Sequence, residues 1–261
     1  LRIKALHQRF DAGFFYFLYK PFNIKHRVSQ ITLYGLYYFK NSMHNITTLL
    51  FDLDGTLTNP KEGIINSILH ALTVMNIHEP HPEELELFIG PPLRTSFATR
   101  YNLPTEEATK AVEAYREYFG VRGLFENEVY AGIPEALQYF HQNGYTLFTA
   151  TSKPTVYAKK ILEYFALDQY FTDVIGSNLD NTRTDKTEVI AYAMHQHSIL
   201  PERAVMIGDR KHDIIGGKNN TMRTIGVSYG YGSMEELTEE QPTYIVHSPK
   251  ELTGLLTMFN L

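Results

Sequence analysis

Four acidic side chains that follow apolar runs are the first candidates for chemistry in this sequence. Asp52 and Asp54 come directly after the run 47–51, and Asp209 and Asp213 come after a later run. A charge buried at the end of a strand is costly unless something compensates it. Asp52, Asp209 and Asp213 would repel one another at close range unless a cation lay among them, and oxygen ligands favour Mg²⁺. The acids therefore predict a magnesium site if the fold brings them together.

The elements that would have to position these acids alternate between strand-like and helix-like segments. Apolar, β-rich runs occur at 47–51, 145–150, 173–175, 204–207, 224–227 and 244–246. Their uniformly apolar character indicates strands that are covered on both faces. Helical patterns lie between several of them, at 133–143, 156–165 and 188–197. We therefore predict an α/β fold, a Rossmann-like parallel sheet with helices on both faces.

One interval, residues 59–128, interrupts this alternation. It contains no convincing strand, and its patterns predict helices at 64–75, 82–89, 93–101 and 105–119. A helical block between the first and second strands indicates a separate small subdomain. We expect an α/β core formed by 43–58 and 129–261, with an inserted all-helical subdomain at 59–128.

Ligands of an open parallel sheet bind beyond the carboxyl ends of its strands. The other candidate residues after the first three strands are Gly55, Thr56, Thr151, Ser152, Lys153 and Lys186. Together with the acids, they would bring carboxylates, hydroxyls and lysines to one edge of one sheet. The glycines at 226, 230 and 232 do not open a helix in a βαβ unit, so they predict a turn-rich loop and not a dinucleotide site.

Four segments of the chain resemble, in the same order, the motifs of the haloacid dehalogenase (HAD) superfamily of phosphohydrolases. They are DLDGTLT at 52–58, TSK at 151–153, Lys186 within TDKTEVI, and GDRKHD at 208–213. The resemblance covers residues 46–256. The stretches FIGPPLRTSF and GVSYGYGS resemble the phosphoglycolate-phosphatase-like branch, which also includes nucleotidases. Asn181 stands where that branch usually has glycine, and asparagine can adopt the same positive φ.

The resemblance implies a role for each acid. Asp52 would be the nucleophile that attacks phosphorus and forms an acyl phosphate. Asp54 would protonate the leaving oxygen and then take a proton from the attacking water. The implied Mg²⁺ ligands are the side chains of Asp52 and Asp209 and the backbone carbonyl of Asp54. Asp213 would orient the site from outside the ligand set.

A second group of residues is implied to hold the phosphoryl oxygens. It consists of Thr151, Ser152, Lys153, Lys186, Gly55 and Thr56. Thr151 and Lys186 would neutralise charge through the transition state, and Lys153 is the alternate lysine. The backbone N–H groups near Gly55 and Thr56 would assist, because glycine allows close approach.

The activity implied by this resemblance is Mg²⁺-dependent hydrolysis of a small phosphomonoester under a helical cap. 2-Phosphoglycolate is the first expectation for the substrate, and a nucleoside 5′-monophosphate is the alternative. A phosphomutase of the same superfamily would share every core residue. A dehalogenase is disfavoured because it has no use for Asp54 or for the metal acids. A non-catalytic binding module is disfavoured because all four motifs are intact.

Composition limits the remaining function classes. The chain is 43% hydrophobic and 20% charged, an ordinary globular balance. Its formal net charge of −5 gives no reason to expect nucleic acid as a partner. The chain has no cysteine, which excludes disulfides and thiolate metal sites, and nothing suggests an oxidising compartment. We expect a cytoplasmic monomer or homodimer whose partner is a small phosphorylated metabolite.

The N-terminal segment 1–42 differs from the rest of the chain. It is strongly basic, and Asp11 is its one acid. Its apolar runs are shorter than the ~20 residues that a membrane-spanning helix needs. It could lie on a membrane surface, pack on the core, or be upstream sequence outside the native protein. The third interpretation is the expectation, because the chain begins with Leu1 and Met43 stands just before the first strand.

Overall fold

The computed structural model describes residues 46–259, so the N-terminal segment 1–42 lies outside the described residues. The strands are β1 (Thr48–Phe51), β2 (Thr58–Asn59), β3 (Glu128–Val129), β4 (Thr146–Pro154), β5 (Asp173–Ser177), β6 (Ala204–Gly208), β7 (Arg223–Val227) and β8 (Tyr244–Val246). The α-helices are α1 (Lys61–Val74), α2 (Leu93–Tyr101), α3 (Thr105–Tyr118), α4 (Ile133–Gln142), α5 (Thr155–Tyr164), α6 (Lys186–His197), α7 (Lys211–Asn219), α8 (Met234–Glu239) and α9 (Pro249–Phe259).

Within the described part of the chain, six strands form one sheet in the order β5-β4-β1-β6-β7-β8. Every neighbouring pair in this sheet is parallel. β1 lies at the centre, where Leu49 stands opposite Leu147 of β4 and Val205 of β6. The predicted α/β fold and all six predicted strands are confirmed. β4 is longer than predicted, because a bulged extension carries it from Ala150 to Pro154.

Helices cover both faces of the sheet. Successive side chains of a strand point to opposite faces, and β1 shows this directly. Leu50 belongs to the buried cluster that includes Val189 and Ile190 of α6. Phe51 faces the other side, where its ring centroid lies 6.2 Å from that of Phe140 in α4. The apolar residues of β1 are therefore used on both faces, as the absence of alternation in the sequence predicted.

Residues 61–123, here called the helical insertion, pack on one another. The insertion contains α1, a 3₁₀ helix at Pro82–Phe88, α2, α3 and a π-helical turn at Phe119–Gly123. Its interior is apolar: the fully buried ring of Phe97 lies 5.1 Å, centroid to centroid, from that of Phe88. α1 approaches the π-helical turn closely, because a Cβ on Gly63 would overlap the carbonyl of Gly123.

The prediction of no strand within 59–128 is wrong at its two ends. Asn59 pairs with Glu128, and Thr58 pairs with Val129, in an antiparallel ribbon formed by β2 and β3. Two-residue strands are too short to show a sequence period. This ribbon is where the chain leaves the sheet for the helical insertion and where it returns.

Three helices that follow β6, β7 and β8 were not predicted. α7 contains Gly216 and Gly217, which weaken a helical pattern in the sequence. The structure explains Gly217, since a Cβ there would overlap the side chain of Thr224 in β7. Across the residues that the structure describes, no helix has the length and apolar character needed to span a bilayer.

Candidate active site

The first site residue, Asp52, extends β1 by one position at the carboxyl edge of the sheet. Its backbone N–H donates to the carbonyl of Ile207 at 2.9 Å, which continues the pairing of β1 with β6. Its carboxylate is buried, and Oδ1 accepts the N–H of Leu53 at 2.7 Å. The same oxygen lies 2.9 Å from the Nζ of Lys186. The central strand therefore presents a buried carboxylate that one ammonium group already contacts.

Three oxygen atoms lie close to the ammonium group of Lys186. Its Nζ lies 2.9 Å from Asp52 Oδ1, 2.8 Å from Asp213 Oδ1 and 2.9 Å from the carbonyl oxygen of Ala150. Burial alone would lower the pKa of Lys186, but the charges of Asp213 and Asp52 outweigh that effect and raise the pKa above its usual value. The buried ammonium is therefore charged and shared between two acids.

The loop before α6 places Lys186 at the first turn of that helix. Asp185 caps the helix, because its side chain accepts the N–H of Thr187 at 2.8 Å. Asn181 has φ = 64°, so asparagine adopts the left-handed conformation expected where related sequences have glycine. Its side chain accepts a hydrogen bond from Arg116 of α3 at 2.9 Å.

Asp54 is paired with the second lysine that the sequence singled out. Its Oδ2 lies 3.0 Å from the Nζ of Lys153, and that Nζ lies 4.2 Å from the ring centroid of Phe119. Its Oδ1 is buried and has no hydrogen-bond partner among residues 46–259. Burial raises the pKa of Asp54, Lys153 opposes the rise, and Asp52 adds to it. An acid with a raised pKa and a free oxygen is suited to carry a proton.

Asp209 is fully buried at the end of β6 and has no lysine or arginine salt bridge among the described residues. Its Oδ2 accepts the N–H of Tyr231 at 2.8 Å, and its Oδ1 accepts the hydroxyl of Thr56 at 3.3 Å. Burial raises the pKa of Asp209 well above its usual value, and repulsion from Asp213 and Asp52 adds to the rise.

Asp213 lies in the first turn of α7, behind the other acids. Its Oδ2 accepts the N–H of Arg210 at 3.0 Å, and its Oδ1 contacts Lys186. Burial raises its pKa to about 6, although Lys186 lowers it. Asp213 is therefore anchored through Oδ2 by a backbone N–H group, while Oδ1 lies against the lysine ammonium group.

The donor set of this site fits a divalent cation. Asp52, Asp209 and Asp213, here called the acid cluster, each offer one oxygen, and these oxygens lie within 4.8 Å of one another. With Asp54 ionised as well, these buried carboxylates outnumber the two buried lysines that pair with them and leave an excess of two negative charges. Hard carboxylate oxygens with a double negative excess suit Mg²⁺.

Two glycine-containing segments enclose the carboxylate of Asp209. Gly55, with φ = 83°, packs against it so closely that a Cβ would overlap Oδ2. A Cβ on Gly230 would overlap the Asp209 side chain and the carbonyl of Gly55, and a Cβ on Gly232 would overlap the backbone carbonyl of Asp209. The sequence predicted only a turn-rich loop here and missed this contribution. The available signal was the pair of glycines on both sides of Tyr231, directly after a buried strand.

The predicted phosphate-binding hydroxyls lie at the bulged end of β4. Thr151 is buried, and its Oγ1 accepts the N–H of Lys153 at 3.3 Å. Ser152 is half-buried, and its carbonyl accepts the hydroxyl of Ser177 at 2.7 Å. The carboxyl edge of the sheet thus brings together every candidate residue that the sequence nominated.

A cavity that is partly open to solvent lies between this edge and the helical insertion. Asp54, Ser152 and Lys153 line it from the sheet side. From the insertion come mainly apolar and aromatic side chains, together with two arginines: Phe88, Pro91, Pro92, Leu93, Arg94, Val112, Tyr115, Arg116 and Phe119. The cavity therefore offers a polar floor and a largely apolar roof.

Comparison with known proteins agrees with this geometry. A family model described as haloacid dehalogenase-like hydrolase matches residues 49–227. A 5′-nucleotidase of Pseudomonas aeruginosa is 48% identical over 196 residues, which are 75% of this chain and 89% of that protein. A phosphoglycolate phosphatase of Vibrio parahaemolyticus is 25% identical over 225 residues, 83% of this chain and 99% of that protein. A solved structure of a predicted phosphatase from Clostridium acetobutylicum is 46% identical, with a TM-score of 0.79 over 81% of this chain and 98% of that chain.

The resemblance stated from the motifs is confirmed by these matches. The matched region 49–227 contains the acid cluster, Asp54 and both buried lysines. The chain belongs to the haloacid dehalogenase-like hydrolases and is an enzyme of their phosphoric monoester hydrolase class.

Proposed function

We propose that the protein is a Mg²⁺-dependent phosphatase that hydrolyses a small phosphomonoester through an aspartyl-phosphate on Asp52. The observation that carries this proposal is the charge arrangement at the sheet edge. Asp52, Asp54 and Asp209 are buried, and Asp54 lines the cavity. Among the described residues, only Asp52 and Asp54 are paired with lysine. Bound Mg²⁺ would offset the remaining charge and draw the substrate phosphate towards Asp52 and Asp209.

The proposed first step is attack of Asp52 on phosphorus. An Asp52–phosphorus bond forms, the bond to the leaving oxygen breaks, and Asp54 donates its proton to that oxygen. The buried Oδ1 of Asp54, which lacks a partner among residues 46–259, is the atom suited to hold the proton. In the second step Asp54 takes a proton from water as that water attacks the acyl phosphate. This returns Asp52 and releases inorganic phosphate.

The phosphoryl oxygens are proposed to be held by Lys186 and Thr151, with backbone N–H groups at Gly55 and Thr56 in support. Lys153 was the alternate lysine. Its ion pair with Asp54 supports a different role, in which it orients the acid. Asp213 is proposed to orient Lys186, which it contacts at 2.8 Å.

The helical insertion is proposed to act as a cap that excludes bulk water and sets specificity. Its cavity supports a nucleoside 5′-monophosphate as the first substrate to test, ahead of 2-phosphoglycolate. The cavity lining from the insertion is largely apolar and includes Phe88, Tyr115 and Phe119, a character that suits a base better than a small acid. The 48% identity to a 5′-nucleotidase, against 25% to a phosphoglycolate phosphatase, supports the same order.

A panel of phosphomonoesters, scored by released phosphate, tests this proposal. It should contain nucleoside 5′-monophosphates, 2-phosphoglycolate and a sugar phosphate, each assayed with Mg²⁺ and with EDTA. We expect Mg²⁺-dependent release, highest from the nucleotides, and no turnover by Asp52→Asn. Near-native activity of Asp52→Asn would refute the nucleophile. An isomerised sugar phosphate without phosphate release would establish a phosphomutase instead.

The proposed biological setting is the cytoplasm, with a small phosphorylated metabolite as the partner. The cysteine-free sequence agrees with a reducing compartment. Both a monomer and a homodimer remain compatible with this proposal.

A further inference from the structure

The ribbon of β2 and β3 lies beside the candidate metal site. Thr58 and Asn59 follow the first motif directly, and they pair with Val129 and Glu128 where the chain returns from the helical insertion. The N–H of Tyr130 donates to the carbonyl of Leu57 at 3.1 Å and extends this pairing. Any rotation of the insertion relative to the sheet has to pass through these few residues.

Residues 228–232, here called the tyrosine loop, contact this ribbon through side chains. The hydroxyl of Tyr231 is hydrogen-bonded to Oδ1 of Asn59 in β2. The hydroxyl of Tyr229 donates to the carbonyl of Thr56 at 3.1 Å. The ring of Tyr229 meets the ring of Tyr130 edge-on at 5.2 Å between centroids. The tyrosine loop therefore contacts both segments of the chain that form the ribbon, at Asn59 of β2 and at the neighbouring residues Thr56 and Tyr130.

The same loop holds Asp209 through its backbone. The N–H of Tyr231 donates to Asp209 Oδ2 at 2.8 Å, and Thr56 donates to the other oxygen at 3.3 Å. The loop packs closely on Asp209, because a Cβ on Gly230 or Gly232 would overlap atoms of that residue. One residue, Tyr231, thus contacts the ribbon with its side chain and the acid cluster with its backbone.

We infer that Tyr231 is a positioning residue that couples the ribbon of the helical insertion to the Asp209 carboxylate. Through it, the orientation of the insertion changes the affinity of the acid cluster for a divalent cation. This inference rests on the proposed metal site, but it assigns a role to residues outside the four motifs. It predicts that loss of the Tyr231 hydroxyl weakens Mg²⁺ binding, although that hydroxyl does not contact any member of the acid cluster.

The test measures Mg²⁺ binding by isothermal titration calorimetry on the whole chain without substrate. The variants are Tyr231→Phe, Asn59→Ala and the double variant, with Tyr164→Phe as the matched control. Tyr164 is exposed on α5, and its ring contacts Phe125 and Phe165. Tyr231→Phe removes one hydroxyl and keeps both the ring and the backbone N–H.

We expect Tyr231→Phe and Asn59→Ala each to raise the dissociation constant for Mg²⁺ about threefold to tenfold, as the loss of one hydrogen bond predicts. The dissociation constant of the double variant for Mg²⁺ should not exceed the larger of the two single-variant values, because both changes remove the same hydrogen bond. Tyr164→Phe should match the wild type.

Asn59 also accepts the N–H of Lys61 at the start of α1, at 3.3 Å, so thermal unfolding of each variant has to accompany the titrations. Unchanged Mg²⁺ affinity in Tyr231→Phe, or singles whose effects multiply in the double variant, would overturn the inference while leaving the proposed phosphatase intact. A wild-type protein that does not bind Mg²⁺ would overturn both the proposed metal site and this coupling.

Discussion

Substitution of Asp209 by asparagine should stabilise the metal-free protein while abolishing its response to Mg²⁺. Asp209 is fully buried, lies within 4.8 Å of two other acids, and has no basic partner among the described residues. Asparagine has the same shape, and its Oδ1 can still accept the N–H of Tyr231. Removing an uncompensated buried charge in this way should gain about 1–4 kcal/mol.

This difference in stability should shrink or reverse in the presence of the cation. A ligand at one hundred times its dissociation constant stabilises a protein by about 2.7 kcal/mol. The wild type should gain this amount in Mg²⁺, whereas Asp209→Asn should gain little. A difference of 2 kcal/mol corresponds to roughly 4–8 °C in Tm for a domain of this size. The two proteins should therefore differ in EDTA and converge or cross in Mg²⁺.

Differential scanning calorimetry in EDTA and in a Mg²⁺ series measures both effects. Asp168→Asn is the matched control, because it makes the same chemical change at an exposed position, where no buried charge is removed. Its Tm should stay within about 1–2 °C of the wild type under both conditions. A lower Tm for Asp209→Asn than for the wild type in EDTA would refute the charge argument for this site.

Two further substitutions test separate parts of the structure. Glu79 accepts two hydrogen bonds from Arg100, which lower its pKa to about 2; Glu79→Gln should therefore cost about 1–2 kcal/mol at neutral pH after allowance for solvent near Arg100. A carboxylate whose pKa is lowered by folding stabilises the protein at pH values above its unfolded-state pKa, so the loss of unfolding free energy in Glu79→Gln should shrink as pH falls from 4.5 towards 2. Urea titrations measure this loss, and a loss that grows in acid would contradict the prediction. Lys153→Met should lower kcat at least tenfold, because Asp54 loses its ion-pair partner, while Mg²⁺ affinity measured by calorimetry stays within about twofold of the wild type. A large loss of Mg²⁺ affinity would show instead that Lys153 supports the acid cluster.

The sheet and the position of the acids could be predicted because each signal is local. The run that becomes β1 is apolar at its three buried positions, Leu49 to Phe51, as a strand buried on both faces requires. Asp52 follows it immediately, so the end of the strand fixes the place of the acid. The pairing of Lys153 with Asp54 was not predictable, since it depends on the bulge that lengthens β4 beyond Ala150.

The contribution of the tyrosine loop was not predictable for a different reason. Its contacts join residues far apart in the sequence, such as Tyr231 with Asn59 and with Asp209. A glycine in a loop usually signals a turn, and the sequence alone does not show which atom lies against it. Only the packed structure shows that Gly232 faces Asp209.

The three oxygens around the ammonium group of Lys186 have a consequence for which ligand groups can bind there. Because three protein oxygens already lie within 2.9 Å of Lys186 Nζ, we expect an oxygen of an arriving ligand to replace one of them. Because the ammonium group is already buried in the folded protein, an arriving oxygen that replaces a protein oxygen leaves the number of its contacts unchanged. A molecule without a strongly accepting oxygen at that point would leave a buried donor unsatisfied. We therefore expect an anionic oxygen, which can replace a carboxylate oxygen at this ammonium group, to be favoured there over the oxygen of a neutral ester.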